Sequence, residues 1–331
     1  MGYIAVLGGG AWGTTLAAML AEKGYDVALW AHEKEVVEDI QRHGTNSTFL
    51  PGDELPRNLR ASTDIVEVTD KARFIVNVVP VQHTRAVLKA AKGGINNDTV
   101  IVTASKGIEI GTHMTVSQII REVTPCTPAV LSGPSFATEV IRRLPTAVSL
   151  ATENYDTGLM LQEIFNTNFF RVYTHGDLVG AELGGAIKNV IAIAAGITEG
   201  LALGQDARAA LITRGLAEMT RLGMVMGAKE RTFSGLSGIG DLVLTCSSQT
   251  SRNFTTGMKL GQGLKIAEIT ASTKSVAEGV PTAKAAHEIA STLNVEMPII
   301  EQVYGIIYDG LDVREAVGSL MARSLKSEFY G

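Results

Sequence analysis

Tyr3-Ile-Ala-Val-Leu7 runs straight into Gly8-Gly-Gly-Ala-Trp-Gly13, and a helical pattern follows from Thr14 to Lys23, stopped by Gly24. A short apolar strand, a Gly8-x-Gly10-x-x-Gly13 turn and a helix in that order constrain this chain more than any other feature. In such a turn Gly8 permits the sharp reversal. Gly10 lets the backbone approach a pyrophosphate, and Gly13 lets the helix lie close on the sheet. The N–H groups at the helix N-terminus then face the phosphates. A glycine triplet alone says little and can be a turn without function. With a strand before it, a helix after it and a second strand at Asp26-Val-Ala-Leu-Trp30, it predicts a dinucleotide site.

Further apolar runs follow at 73–79, 99–103, 129–131 and 147–151, with helical patterns at 81–91 and 114–123 between them. Continuous apolar strands alternating with helices predict a doubly wound α/β sheet of the Rossmann type. From about Asp177 the strand signals stop. Helical patterns cover 177–202, 206–227, 275–293, 297–309 and 312–327, so an all-α second domain is expected. A chain of 331 residues suits two domains, divided here as 1–188 and 189–331. They are joined by a helix, and a cleft between them is the default place for a substrate.

Composition excludes several classes. The net charge of −5, with no basic block, argues against broad nucleic-acid binding. Cys126 and Cys246 form no CxxC pair, and the six histidines have no metal-ligand spacing. No metal is expected, and both cysteines read as packing thiols in a reducing compartment. The N-terminus lacks a basic n-region and its apolar run is broken by glycines, so it does not read as a signal peptide. A cytoplasmic protein is expected.

Residues 178–197 carry only two charges, Glu182 and Lys188, in twenty positions. That length raises the question of a membrane span. Four glycines, a carboxylate and a central lysine make it a poor one, and a buried helix is the better reading. Burying an ammonium is costly unless it is paired or loses its proton. A desolvated lysine can donate and accept a proton near neutral pH. The plainer alternative is a stem on apolar surface with its head in water.

Four other clusters can carry chemistry. Lys106 follows a predicted strand, at the carboxyl edge where α/β sheets bind ligands. Ser132-Gly-Pro-Ser-Phe-Ala137 follows another. Gly235-Leu-Ser-Gly-Ile-Gly-Asp241 is a glycine-rich loop leading to Thr245, and Ser251-Arg252-Asn253 comes shortly after. Each has a plain reading: a solvated lysine, a turn, a helix cap at Asp241, a surface turn. Together with a dinucleotide turn they gain meaning. Arg with Asn suits an oxygen-rich anion such as a phosphate, and Lys with Asp suits proton transfer between hydroxyl and carbonyl.

The segments IAVLGGGAWG, TASKGIE, LSGPSFATE, GAELGGAIKNVIAIAAG, ALITRGLAEM, GLSGIGDLVLTC, SSQTSRN and VAEGVPTAK resemble the signatures of bacterial NAD(P)-dependent glycerol-3-phosphate dehydrogenase. They keep that family's order across nearly the whole chain. The resemblance implies reversible reduction of dihydroxyacetone phosphate to sn-glycerol 3-phosphate, feeding phospholipid synthesis. It also implies NAD or NADP as cofactor and a homodimer. By the same resemblance Lys188 is the proton donor and acceptor, supported by Asp241 and Thr245. Lys106 meets both substrate and cofactor. Gly133, Ser135, Asn189, Ser251, Arg252 and Asn253 line the substrate site. Ala11, Trp12, His32, Ala137, Val276 and Glu278 join Gly8, Gly10 and Gly13 at the cofactor, with Arg252 nearby.

Two positions depart from the family pattern. Many members carry arginine after the histidine that ends the second strand, where this chain has Glu33. Arginine would favour NADPH and Glu33 opposes it, so either cofactor is expected to serve. Ala11 stands where serine is common. A related reading is a reductase of the β-hydroxyacid or ketopantoate type, which also places a lysine on a helix between its domains. The SRN and GDLVLTC segments argue against it. A non-enzymatic nucleotide sensor would need neither the buried lysine nor a second anion cluster.

Overall fold

Alternate residues of the central strands are buried on opposite faces of one sheet, which settles why those strands read as unbroken apolar runs. Ile4 and Val6 join one core cluster, with Leu29, Phe74 and Val102. Ala5 and Leu7 join the other, with Ala28, Ile75 and Ile101. A sheet covered on both sides has no polar face to alternate. The computed structural model describes residues 3–272, 277–325 and 327–328.

The chain forms two compact units, 1–106 with 114–178, and 107–113 with 179–331. The division falls at Leu178/Val179 rather than at 188/189. The helix that carries Lys188 is continuous, and its side chains belong to the second unit's core.

The first unit contains β1 (Ile4–Leu7), β2 (Val27–Trp30), a small hairpin of β3 (Thr45–Asn46) and β4 (Leu50–Glu54), β5 (Arg60–Ser62), β6 (Phe74–Asn77), β7 (Val100–Thr103), β8 (Thr127–Ser132), β9 (Thr146–Ala151) and β10 (Phe170–His175). Its helices are α1 (Ala11–Glu22), α2 (Lys34–His43), α3 (Ile65–Thr69), α4 (Val81–Ala91), α5 (Val116–Val123), α6 (Ala137–Val140) and α7 (Tyr155–Phe165). The main sheet has the order β10-β9-β8-β7-β6-β1-β2-β5. From β5 to β8 all neighbours are parallel; β9 runs antiparallel to β8 and β10 parallel to β9. The chain leaves β1 toward β2 and β5, then returns to β6 on the other side of β1. The strand order therefore reverses beside the glycine turn, where open α/β sheets bind ligands.

The doubly wound sheet agrees with the sequence reading, and β5, β10 and α2 are among the elements that escaped that reading. β5 is a three-residue edge strand, and β10 is an edge strand with Arg171 and Tyr173 exposed. α2 is so charged that only Val36, Val37 and Ile40 are buried.

The second unit is helical: α8 (Leu178–Gly200), α9 (Gly204–Val225), α10 (Glu230–Phe233), α11 (Asp241–Cys246), α12 (Arg252–Gly261), α13 (Ile266–Ala271), α14 (Gly279–Leu293), α15 (Pro298–Tyr304) and α16 (Val313–Met321). The helix expected over 297–309 is α15 continued by a π-turn at Gly305–Asp309; the one expected over 312–327 is shorter, α16 ending at Met321, with residue 326 outside the described residues. The helix expected over 275–293 starts at Gly279, and 275–276 lie outside the described residues. α8 is long and apolar enough to cross a membrane, yet 94% of its most apolar window is buried within the protein.

Glu218 on α9 is 3% exposed and accepts the N–H groups of Ile299 and Ile300 at the start of α15, at 2.8 and 3.3 Å. Burial pushes its carboxyl up from 4.5 to about 7, against those two donors and the charges of Arg221 and Arg323. The folded chain therefore holds a proton that the unfolded chain releases near 4.5. Stability from this group is present below that value and is lost as pH rises through about 7. At ~1.4 kcal/mol per unit the effect is on the order of 3 kcal/mol. Melting temperatures from about pH 5 to about pH 8 should fall with this slope in the parent chain. The slope should flatten in Glu218→Gln; an unchanged slope would remove Glu218 as its source.

Candidate active site

Glycines bring helices together in the second unit closely enough to bury polar groups between them. A Cβ on Gly257 of α12 would lie 1.9 Å from the Ile193 carbonyl oxygen of α8, and one on Gly196 would lie 2.0 Å from that of Phe254. A Cβ on Gly184 would lie 2.2 Å from the Ser237 carbonyl oxygen, so the turn before α11 also rests on α8. These contacts place α11 and the start of α12 against the middle of α8, where Lys188 and Asn189 stand.

Lys188 is 6% exposed, and its Nζ donates to Asp241 Oδ1 at 2.6 Å and to Thr245 Oγ1 at 2.7 Å. Thr245 in turn donates to the Asp241 carbonyl oxygen at 2.6 Å. Asp241 opens α11 but its side chain does not cap it; Gly240 occupies the cap position. The plain reading of Asp241 as a helix cap therefore fails, and so does that of a lysine head in water. The carboxylate favours the ammonium form that burial alone would disfavour. Cys246, the next residue, is pushed up to about 12 by burial and takes no part as a thiolate.

Asn253 Nδ2 donates to Asn189 Oδ1 at 2.9 Å, and Asn253 Oδ1 accepts the Gly279 N–H at 2.9 Å. One side chain thus ties α8, α12 and the start of α14. Ser251 caps α12, its Oγ accepting from the Phe254 N–H at 3.2 Å. Arg252 is the first residue of that helix and is exposed, with the carboxylate of Glu278 near enough to act on its charge. Arg252 and Asn253 begin a helix rather than a surface turn, and the helix start adds main-chain donors suited to an anion. Val276 lies outside the described residues.

The other expected residues lie in the first unit. Gly8 has φ +121°, and its added Cβ would lie 3.0 Å from the Val78 carbonyl oxygen. A Cβ on Gly13 would lie 1.9 Å from the Gly8 carbonyl oxygen. Gly10 differs: its φ of −68° suits any residue, and a Cβ there would meet nothing of the protein within 4 Å. Space left open in front of Gly10, at the N-terminus of α1, fits a pyrophosphate that comes close to the backbone. Ala11 and Trp12 form the first turn of α1, which carries no acidic residue, and Trp12 packs on the Phe170 ring. His32 is exposed just beyond β2. Lys106 Nζ donates to the Gly133 carbonyl oxygen at 3.0 Å, which also accepts from Ser135 Oγ at 3.0 Å. Ala137 opens α6, and its carbonyl oxygen accepts from Thr15 Oγ1 of α1 at 3.3 Å.

Sequence reasoning missed the residues that hold these loops. Asn46 is fully buried and donates to the Gly9 carbonyl oxygen at 2.9 Å and to Thr14 Oγ1 at 2.8 Å, fixing the glycine turn. Asn77 donates to Ser105 Oγ at 3.2 Å, and Ser105 donates to the Val79 carbonyl oxygen at 2.7 Å, fixing the residue before Lys106. An asparagine at the end of an apolar strand was the available signal for Asn77. Asn46 sits in a polar stretch that offers none.

The first unit thus has the parts of a dinucleotide site, and the second a seated ammonium beside a phosphate-suited helix start. A family model described as NAD-dependent glycerol-3-phosphate dehydrogenase N-terminus matches residues 3–158, and its C-terminal counterpart matches 177–318. The chain belongs to the NAD-dependent glycerol-3-phosphate dehydrogenase family. It is 51% identical over 329 residues to the glycerol-3-phosphate dehydrogenase (NAD(P)+) of Citrifermentans bemidjiense, covering 98% of each chain. The enzyme of that name from Geobacillus kaustophilus is 47% identical over 332 residues, covering 99% of this chain and 96% of its own. The crystal structure of glycerol-3-phosphate dehydrogenase from Coxiella burnetii superposes with a TM-score of 0.94 at 41% identity, covering 97% of this chain and 99% of that one. Both the family and the two-part fold agree with the sequence reading.

The buried pair gives Lys188 a structural cost that can be measured apart from activity. Asp241→Ala leaves the Lys188 ammonium buried without its carboxylate and should lower stability by about 3–5 kcal/mol. Lys188→Met/Asp241→Leu replaces both charges with apolar groups and should recover most of that loss in denaturant titration. A double variant no more stable than Asp241→Ala would show that the ion pair is not the source of the loss.

Proposed function

We propose that this chain interconverts dihydroxyacetone phosphate and sn-glycerol 3-phosphate, with Lys188 as the group that moves the proton. The observation that carries the role is the seating of its Nζ on Asp241 and Thr245, at 2.6 and 2.7 Å. When bound, the nicotinamide of NADH or NADPH supplies the hydride that carbonyl reduction requires. As negative charge grows on the substrate's C2 oxygen, the Lys188 ammonium stabilises it and then transfers a proton to it. Preorganised charge of this kind is worth a few kcal/mol of barrier. In the oxidising direction the neutral amine takes the hydroxyl proton back. Asp241 and Thr245 keep the nitrogen in one place through both states.

Ser251, Arg252 and Asn253 hold the substrate's phosphate at the start of α12. Binding energy gained there, away from the reacting carbon, positions the carbonyl. Asn189 holds Asn253 in register, while Gly133, Ser135 and Lys106 complete the substrate's surroundings. Ala11, Trp12, His32, Ala137, Val276 and Glu278 are assigned to the cofactor with the three glycines. Family membership and the fit of the residues described above support these roles. The same membership supports a cytoplasmic homodimer that supplies glycerol 3-phosphate to glycerophospholipid synthesis.

Oxidation of NADH and NADPH with dihydroxyacetone phosphate tests the proposal. The parent chain should turn over rapidly, and Lys188→Ala should lose about 100-fold or more in kcat, the range of a lost acid–base group. Phosphate affinity should change less, because the α12 residues remain. Turnover with 2-keto or 3-hydroxy acids, and none with the phosphate substrate, would overturn it.

A further inference from the structure

We infer that this chain selects NADH over NADPH, and that Glu33 makes the selection. The inference deepens the dehydrogenase reading and rests on it only through the dinucleotide. The two cofactors differ by one phosphate, on the 2′-oxygen of the adenosine ribose. In this fold that oxygen lies just past the end of the second strand. What the chain places there decides between a hydroxyl and a dianion.

Beyond β2 come Ala31, which is buried, His32, which is exposed, and Glu33, which is partly buried. Glu33 has extended backbone and precedes the first residue of α2, but its side chain does not cap the helix. Its carboxylate is not taken up by that structural task. The neighbouring strand adds charge of the same sign. Trp30 pairs with Ser62, the Ala31 N–H donates to the Ser62 carbonyl oxygen at 3.2 Å, and Trp30 Nε1 donates to the Thr63 carbonyl oxygen at 3.0 Å. Asp64 therefore emerges at the same edge of the sheet. Glu67 is anchored there too, accepting from Ser62 Oγ at 2.7 Å.

The cations near these strands make surface pairs with other carboxylates, the exposed Lys34 only weakly. Arg60 opens β5 at the opposite edge and bonds Asp26 at 2.9 Å. Lys34 and Arg42 both lie against Glu38, at 3.5 and 3.8 Å, and His43 lies on Asp39 at 3.0 Å. His32 can donate an N–H to a hydroxyl or to a phosphate. A ribose hydroxyl can donate to Glu33. A 2′-phosphate would meet the Glu33 carboxylate, and among the described residues no arginine is seen committed to it.

Equilibrium binding of NADH and NADPH, followed by calorimetry without substrate, is the test. At low salt NADH should bind at least about tenfold more tightly, as like charges a few ångströms apart imply. That gap should shrink as salt is raised. Glu33→Gln, which removes charge and keeps shape, should weaken the preference about fivefold or more, and Glu33→Arg should reverse it. Equal or tighter binding of NADPH by the parent chain would overturn the inference. So would an unchanged preference in both variants. Those results leave the dehydrogenase reading standing, whereas failure of both nucleotides to bind would bring down both.

Discussion

The Lys188 ammonium is kept from water on a helix with almost no other charge, and the second unit is organised around that fact. Taking an ammonium out of water costs several kcal/mol, and only an excellent partner geometry offsets it. Asp241 and Thr245 supply that geometry at 2.6 and 2.7 Å. They reach Lys188 because the turn before α11 rests against Gly184 with no room for a Cβ. The small residues of α8 are thus part of the lysine's environment. Without them α11 would stand off by the width of a side chain, and Asp241 and Thr245 would not reach the nitrogen.

The same close packing sets the start of α12, where the substrate's phosphate is proposed to bind. Gly196 and Gly257 let α12 cross α8 at near backbone contact, and Asn253 then bonds Asn189 beside Lys188. A phosphate held by Ser251, Arg252 and Asn253 is therefore fixed relative to the lysine through one pair of helices. Few torsions separate the two groups, so little of the binding energy is lost to slack between holding the substrate and acting on it.

Much of this was legible from the chain. The glycine turn, its flanking strands and the lysine in an apolar helix have local signatures, because each depends on residues near in sequence. Strand patterns that fill a two-faced core are likewise written locally. Other features depend on packing that no short window records. β5 and β10 were missed because edge strands have half-exposed, mixed sequences. The boundary at Leu178/Val179 was placed ten residues late because α8 gives no break in composition there. Asn46 and Asn77 hold loops through bonds to residues far along the chain; the end of an apolar strand marks Asn77, whereas the polar stretch around Asn46 gives no hint of its partners.

Asp241 shows where local reading fails most instructively. An aspartate after glycines at a helix start has a ready explanation as a cap, and the preceding residues encourage it. The structure puts Gly240 at the cap and turns the carboxylate inward to Lys188, 53 positions earlier in the chain. A helix start satisfied by water would tolerate many residues at position 241. A buried ammonium tolerates almost none, since replacing the carboxylate leaves a charge without compensation. The glycines before Asp241 therefore serve the lysine and not the helix: they shape a turn small enough to lie on Gly184 and deliver one carboxylate to one nitrogen.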